Sequence, residues 1–192
     1  MGVLTILISW SVYLFYICPT IYWRDSAEFV TTGYTLAVPH PAGSPTYSLI
    51  AKLFTFIPAG SIAFRVNLVS AFFGAFSVYL LYRVTGALIL KIWPGEDQRL
   101  SQYSSFASAM LYLFSATFWR FSEVAEVYTQ QVFWLLLVIF LLLQAEEGEA
   151  ERGKYLTLAA LFYGLSAGTH AVMAFYLPAI LLYLFFLDKR WL

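Results

Sequence analysis

The sequence predicts an all-α integral membrane protein of about six transmembrane helices, and three observations carry that reading. Of the 192 residues 61% are hydrophobic and only 11% are charged, well under half the ~25% charge of a soluble domain. The apolar residues fall in runs that approach the ~20 needed to cross a ~30 Å hydrocarbon core. Most charged residues collect between those runs, as the cost of burying an ion in lipid requires.

The first run, residues 3–18, has neither the basic start nor the small-residue cleavage site of a signal peptide, so it reads as a retained helix. Residues 19–60 read as one long outer loop. Within it, 45–57 is apolar but carries Lys52 and is bounded by Pro45 and Pro58; thirteen residues give only ~20 Å of helix, which suits a surface helix better than a span. A second surface helix is expected over 25–38. Further spans are expected over 63–90, 103–119, 129–144, 155–168 and 172–187, making a single transmembrane domain over 1–192. The last two runs are separated only by Gly168-Thr169-His170. Joined as one helix they would reach ~50 Å, too long for one crossing, so a tight re-entry is expected there.

Arginine and lysine set the orientation. With the N-terminus cytoplasmic, Arg83, Lys91, Arg99, Arg152, Lys154, Lys189 and Arg190 lie inside, and Arg24, Lys52, Arg65 and Arg120 lie outside. This follows the positive-inside rule, and the four glutamates of 145–154 form a solvated inner turn. Eleven basic and eleven acidic residues leave no net charge, hence no basic field for a nucleic-acid partner. The bilayer is the partner the composition demands. Cys18 stands alone and can form no internal disulfide.

The polar residues away from the inner loops converge on the outer face: Arg24, Asp25, Glu28 and His40 from the first loop, Arg65 just beyond it, Arg120, Glu123 and Glu126 from the second, His170 from the third. Each has a structural alternative. Asp25-Ser26-Ala27-Glu28 has the spacing of a capping box as well as two carboxylates on one helix face. Ser122 before Glu123 and Glu126 has the form of another helix cap. Three prolines and a glycine stiffen residues 38–45 around His40, which suits a positioned site or a surface hydrogen bond. His170 fits an interhelical polar contact equally well. The abundant tyrosine and tryptophan read as interfacial belt and packing. Zinc-ligand spacing, a phosphate-binding glycine loop and a nucleophile elbow are missing. A divalent metal is compatible with the acidic outer face, though no ligand spacing demands one.

Five segments also resemble a family. They are Arg24-Asp25-Ser26-Ala27-Glu28-Phe29, His40-Pro41-Ala42-Gly43-Ser44-Pro45-Thr46-Tyr47, Arg65-Val66-Asn67-Leu68-Val69-Ser70-Ala71, Phe121 to Tyr128, and Gly164 to His170. Together they are similar to the N-terminal signature of bacterial membrane proteins related to the eukaryotic transmembrane protein O-mannosyltransferases. Ala27 and Ala42-Gly43-Ser44 depart from the family's usual Gly and Pro-Gly-Tyr.

The resemblance implies a class C glycosyltransferase (GT-C) fold, of which this chain looks like the N-terminal half. It implies inverting transfer of a sugar from a polyprenyl-phosphate carrier to an acceptor on the outer face of the bacterial inner membrane. In that reading Asp25 is the general base, with Glu28 orienting the acceptor. Arg24, Arg65 or Arg120 neutralises the leaving phosphate, and His40, Glu123, Glu126 and His170 complete the substrate site. The alternative is a shortened, non-catalytic subunit serving assembly in a larger membrane complex, or one that needs a second chain to supply further helices. A transporter is a third reading, resting only on the multiple spans.

Overall fold

The computed structural model describes residues 1–41 and 43–187, and the described residues are helical with no strand. Lys189 and Arg190 of the inner basic group lie outside the described residues. In chain order the helices are α1 (Gly2–Tyr16), α2 (Ser26–Thr35), α3 (Pro45–Phe54), α4 (Ile62–Ile92), α5 (Gln98–Leu113), α6 (Ala116–Ser122), α7 (Tyr128–Glu147), α8 (Arg152–Ala167) and α9 (Leu177–Leu187). Short 3-10 turns at Glu149–Glu151 and Ala171–Tyr176 lead into α8 and α9.

Two helices, α4 and α7, are long and apolar enough to cross a membrane, where the sequence suggests about six spans. The 15 residues of α1 reach only ~22 Å, and the apolar run Ala171–Leu187 is also short and begins as a 3-10 turn. The span expected over 103–119 is divided. Asp97 starts α5 early by accepting the Arg99 N–H at 2.8 Å, and the helix ends at Leu113. There the Ser115 hydroxyl donates to the Tyr112 carbonyl at 2.8 Å, taking up an acceptor that the next turn of helix would have used. The chain then restarts as α6.

The two short helices of the first loop have local causes. Leu36, at φ 59°, ends α2 in the left-handed region, and Pro45 opens α3, where its missing N–H costs nothing. Lys52 binds α3 to α2 by donating to the Tyr34 carbonyl at 2.6 Å while lying over the Tyr34 and Phe56 rings. Gly33 makes that approach possible, because a Cβ there would come within 2.7 Å of the Ala51 methyl.

The long rods alternate in direction. Gly2 lies against Tyr79 and Tyr82, while the Cys18 carbonyl accepts from Asn67 Nδ2 at 2.7 Å, so α1 runs against α4. Ser101 reaches the Gly86 carbonyl and Tyr13 the Leu113 carbonyl, so α5 also runs against α4. By contrast α7 runs with α4, since Ser70 bonds the backbone of Glu126 at one end and Lys91 pairs with Glu146 at the other. Returning, α8 brings the Gly168 carbonyl to the Thr46 N–H at 2.9 Å. Apolar packing fills the space between: Tyr13, Val78, Leu113 and Phe118 in one cluster, Phe29, Tyr47, Val66 and Val69 in a second, Val138, Leu142 and Ala159 in a third. One end of the bundle thereby gathers α2, α3, the starts of α4 and α7, and the end of α8.

Asn67 ties that end together. Fully buried, it donates to the Cys18 and Thr20 carbonyls and accepts the Ala125 N–H at 2.8 Å. Asn67→Ala leaves three backbone groups without partners, at ~1–3 kcal/mol for each buried one. We expect a loss of about 3 kcal/mol in detergent-solubilised unfolding; a change below about 1 kcal/mol would mean that the loops hold without it.

Candidate functional site

At that end a cleft of about 140 Å³ is lined by Asp25, His40, Glu126 and His170, together with Phe29 and Tyr128 among others. Four of the nine residues expected at the site from sequence thus share one cavity. They come from the start of α2, the proline loop, the segment before α7 and the turn after α8.

The chain enters α2 through Arg24, whose φ of 66° is unusual for a residue with a side chain. Such strain persists only where the surroundings enforce it, and it concentrates at functional sites. Asp25 occupies the N-cap position but its carboxylate caps nothing, so the capping box does not form. Glu28 turns instead to the proline loop, accepting the His40 backbone N–H at 2.5 Å and meeting His40 Nδ1 at 2.7 Å. This bidentate contact lowers the Glu28 pKa and raises that of His40, chiefly through the side-chain hydrogen bond. Glu28 therefore positions His40, and Phe29 supports the same ring edge-on at 5.9 Å.

Glu126 enters the cleft from the opposite wall. Its backbone is held at both N–H and C=O by the Ser70 hydroxyl, and the residue is only 3% exposed. Oε2 is buried without a partner. Burial, then the neighbouring Asp25, push its carboxyl up to about 7, against the opposing pull of Arg24 and His40. His170 accepts the Val172 N–H at Nδ1 (3.2 Å), which puts its proton on Nε2 when neutral. Burial, then His40, lower its pKa. The cleft thus pairs an exposed Asp25 with a buried Glu126 that stays protonated to near neutral pH.

The turn carrying His170 is fastened to α3. Ser44 donates to the Thr169 carbonyl at 2.8 Å, Thr46 to the Leu165 carbonyl at 2.9 Å, and Trp134 Nε1 to the Thr169 hydroxyl at 3.0 Å. Gly168 lets the turn lie close on α3, because a Cβ would come within 2.3 Å of Thr46 Oγ1 and force that hydroxyl to shift.

Five expected residues stand apart from the cleft lining. Glu28 acts through His40, as described. Arg24 adjoins it in sequence and lies over the Trp23 ring. Arg65 spends its guanidinium on the carbonyls of Thr55, Ala59 and Gly60, at 2.9–3.1 Å, bracing the turn after α3. Arg120 is exposed on α6. Glu123 lies outside the cavity with one carboxylate oxygen buried, and burial raises its pKa. Ser122 ends α6 and donates back to the Phe118 carbonyl instead of capping a following helix. Among the described residues no group of His, Cys, Asp and Glu is arranged to hold a metal ion. Sequence reasoning missed Asn67 and Ser70, although polar residues one turn apart in an apolar helix mark a bundle interior.

A family model described as the protein O-mannosyl-transferase TMEM260 N-terminal domain matches residues 25–192. The chain belongs to this family. Over 169 residues, 84% of its length, it is 31% identical to protein O-mannosyl-transferase TMEM260 of Mus musculus. It is 22% identical over 126 residues, 64% of its length, to protein O-mannosyl-transferase tmem260 of Dictyostelium discoideum. The matched segments cover 22% and 14% of those two relatives, so the chain corresponds to a fraction of their length. No solved structure gives a significant match. The family match opens at Asp25 and takes in every residue of the cleft.

Glu126 gives the site a pH signature. A carboxyl raised from 4.5 to about 7 on folding stabilises fully below 4.5, and that contribution is lost as pH rises through about 7. His170, lowered from 6.5, works the other way and costs stability as pH falls. The difference between wild type and Glu126→Gln isolates the carboxyl: wild type should lose thermal stability relative to the variant between pH 4.5 and 7. Parallel curves would rule out a buried titrating Glu126.

Proposed function

We propose that the chain is a membrane-embedded glycosyltransferase module. In this reading it contributes an acidic cleft to inverting transfer of a sugar from a polyprenyl-phosphate carrier to an acceptor hydroxyl, on the outer face of a membrane such as the bacterial inner membrane. The observation that carries the reading is the meeting of Asp25, His40, Glu126 and His170 in one cavity, in a chain whose relatives are named protein O-mannosyl-transferases. The full activity belongs to a longer protein or assembly, since the match covers about a fifth of the mouse relative.

The chemistry follows from the environments. Asp25 accepts the proton of the acceptor hydroxyl as its oxygen bonds the anomeric carbon. The bond from that carbon to the carrier phosphate breaks on the opposite side, its electron pair leaving with the phosphate, and the configuration inverts. Arg24, beside Asp25, supplies guanidinium donors to the departing phosphate. Arg65 is already committed to backbone carbonyls. Protonated Glu126 and the Nε2–H of His170 donate to sugar hydroxyls, and Glu28 holds His40 in place.

The membrane reading rests on α4 and α7, with α1, α5, α8 and the 3-10 turn joined to α9 as shorter crossings whose ends lie in the interface. Arg83, Lys91, Arg99, Arg152 and Lys154 then lie on the cytoplasmic side and the cleft on the other.

Two measurements test this. Asp25→Asn in membranes carrying the full-length protein should lower sugar transfer at least ~100-fold while leaving the melting curve unchanged; undiminished transfer would remove the base. Val38 is 85% exposed, so Val38→Cys in a Cys18→Ser background should react with an impermeant thiol reagent from outside. Labelling only after the membrane is opened would reverse the topology.

A further inference from the structure

The opposite end of the bundle holds a second, larger cavity of about 370 Å³ between α4, α5 and α7. Its lining is amphipathic. Arg83 and Glu147 bring opposite charges, Gln98, Gln102 and Gln144 bring carboxamides, and Phe140 brings an aromatic face.

Arg83 is set as an anion receptor. Its guanidinium lies 5.0 Å from the centre of the Phe140 ring and 5.8 Å from that of Tyr79, and it donates to the Tyr79 hydroxyl at 2.8 Å. No carboxylate pairs with it among the described residues, which leaves most of its five N–H donors uncommitted. Glu147 holds only the Gln144 side-chain amide, at 3.3 Å, while the nearby Lys91 is paired with Glu146.

The depth of the cavity identifies the ligand class. Arg83 is ~24 Å along α4 from Asn67, and Glu147 is ~31 Å along the chain direction of α7 from Glu126, at 1.5 Å per residue. With the acidic cleft at one interface, a ~30 Å core places this cavity among the headgroups of the other leaflet. A ligand there must offer an anion to Arg83, a cation to Glu147 and apolar substance to Ala87 and Leu90. Glu147 and the carboxamide oxygens suit a cation that donates hydrogen bonds, as a primary ammonium does, whereas a quaternary ammonium offers them none. We propose that this cavity binds the headgroup of a primary-amine zwitterionic phospholipid, with the phosphodiester on Arg83 and the ammonium on Glu147. The proposal needs the membrane reading, which thiol labelling tests separately, and is independent of sugar transfer.

The test is a native mass-spectrometric titration of the purified full chain in detergent with short-chain phosphatidylethanolamine. Phosphatidylcholine, phosphatidylglycerol and inorganic phosphate are run in parallel. We expect saturable binding of phosphatidylethanolamine at least tenfold tighter than phosphatidylcholine, weakened tenfold or more by Arg83→Gln. Glu147→Gln should weaken phosphatidylethanolamine but not phosphatidylglycerol. Gln102→Leu, at an exposed position of α5, must also weaken binding and serves should Arg83→Gln fail to accumulate. Equal affinity for the choline lipid, competition by inorganic phosphate at equal concentration, or binding indifferent to these substitutions would each overturn the proposal.

Discussion

The acidic cleft depends on a constraint imposed from inside α4. Asn67 and Ser70 stand one helical turn apart, both fully buried, and between them they hold the chain after α1 and the segment before α7. In a lipid-facing helix such polar groups would be costly, so their place is the bundle interior, where irregular backbone supplies their partners. The exchange is mutual. The loops obtain partners for buried peptide groups that have no helix to join, and α4 obtains partners for its polar side chains.

That constraint also sets the electrostatics of the site. Because Ser70 bonds both backbone groups of Glu126, its main chain is fixed inside the bundle, and burial of the carboxyl there raises its pKa. Glu28 shows the opposite case. It is part-exposed, bonded twice to His40, and held on the ionised side. Two glutamates at one end of a bundle are thereby driven in opposite directions, one by desolvation and one by hydrogen bonding, and such divergence is how neighbouring acids acquire different tasks.

Much of this was legible in the sequence where the cause is local. Lys52, Pro45 and Pro58 disqualify 45–57 as a crossing, and the structure has the short helix α3 there. The convergence of Asp25, His40, Glu126 and His170 followed from alternating rods placing their loops together. What spacing could not supply was the choice among long-range partners. Asp25 and Glu28 match a capping box, yet Glu28 bonds a histidine twelve residues on, since a stiff proline loop delivers two donors to it at once. Arg65 offered a free guanidinium on paper, and the turn after α3 consumed it with three carbonyls. At the break between α5 and α6 the Ser115 hydroxyl and N–H both take the Tyr112 carbonyl, a competition that apolar periodicity does not register.

The size of the cleft limits what it handles. At about 140 Å³ it is well under the ~300 Å³ of a typical small-molecule pocket. For the lipid-linked donor we propose, that is room for a polar ring with its exocyclic groups, and the tail would lie elsewhere. Two apolar grooves of about 280 Å³ run along α9, one against α7 and one between α7 and α8. Leu161, Leu181, Leu182, Phe185 and Phe186 are exposed on the same helices. His170 lines the cleft and sits at the turn where α8 gives way to the segment entering α9. In the function we propose, a donor with its sugar in the cleft and its tail along α9 would pass that turn, which the bonds of Leu165, Gly168 and Thr169 to Thr46, Ser44 and Trp134 hold in place.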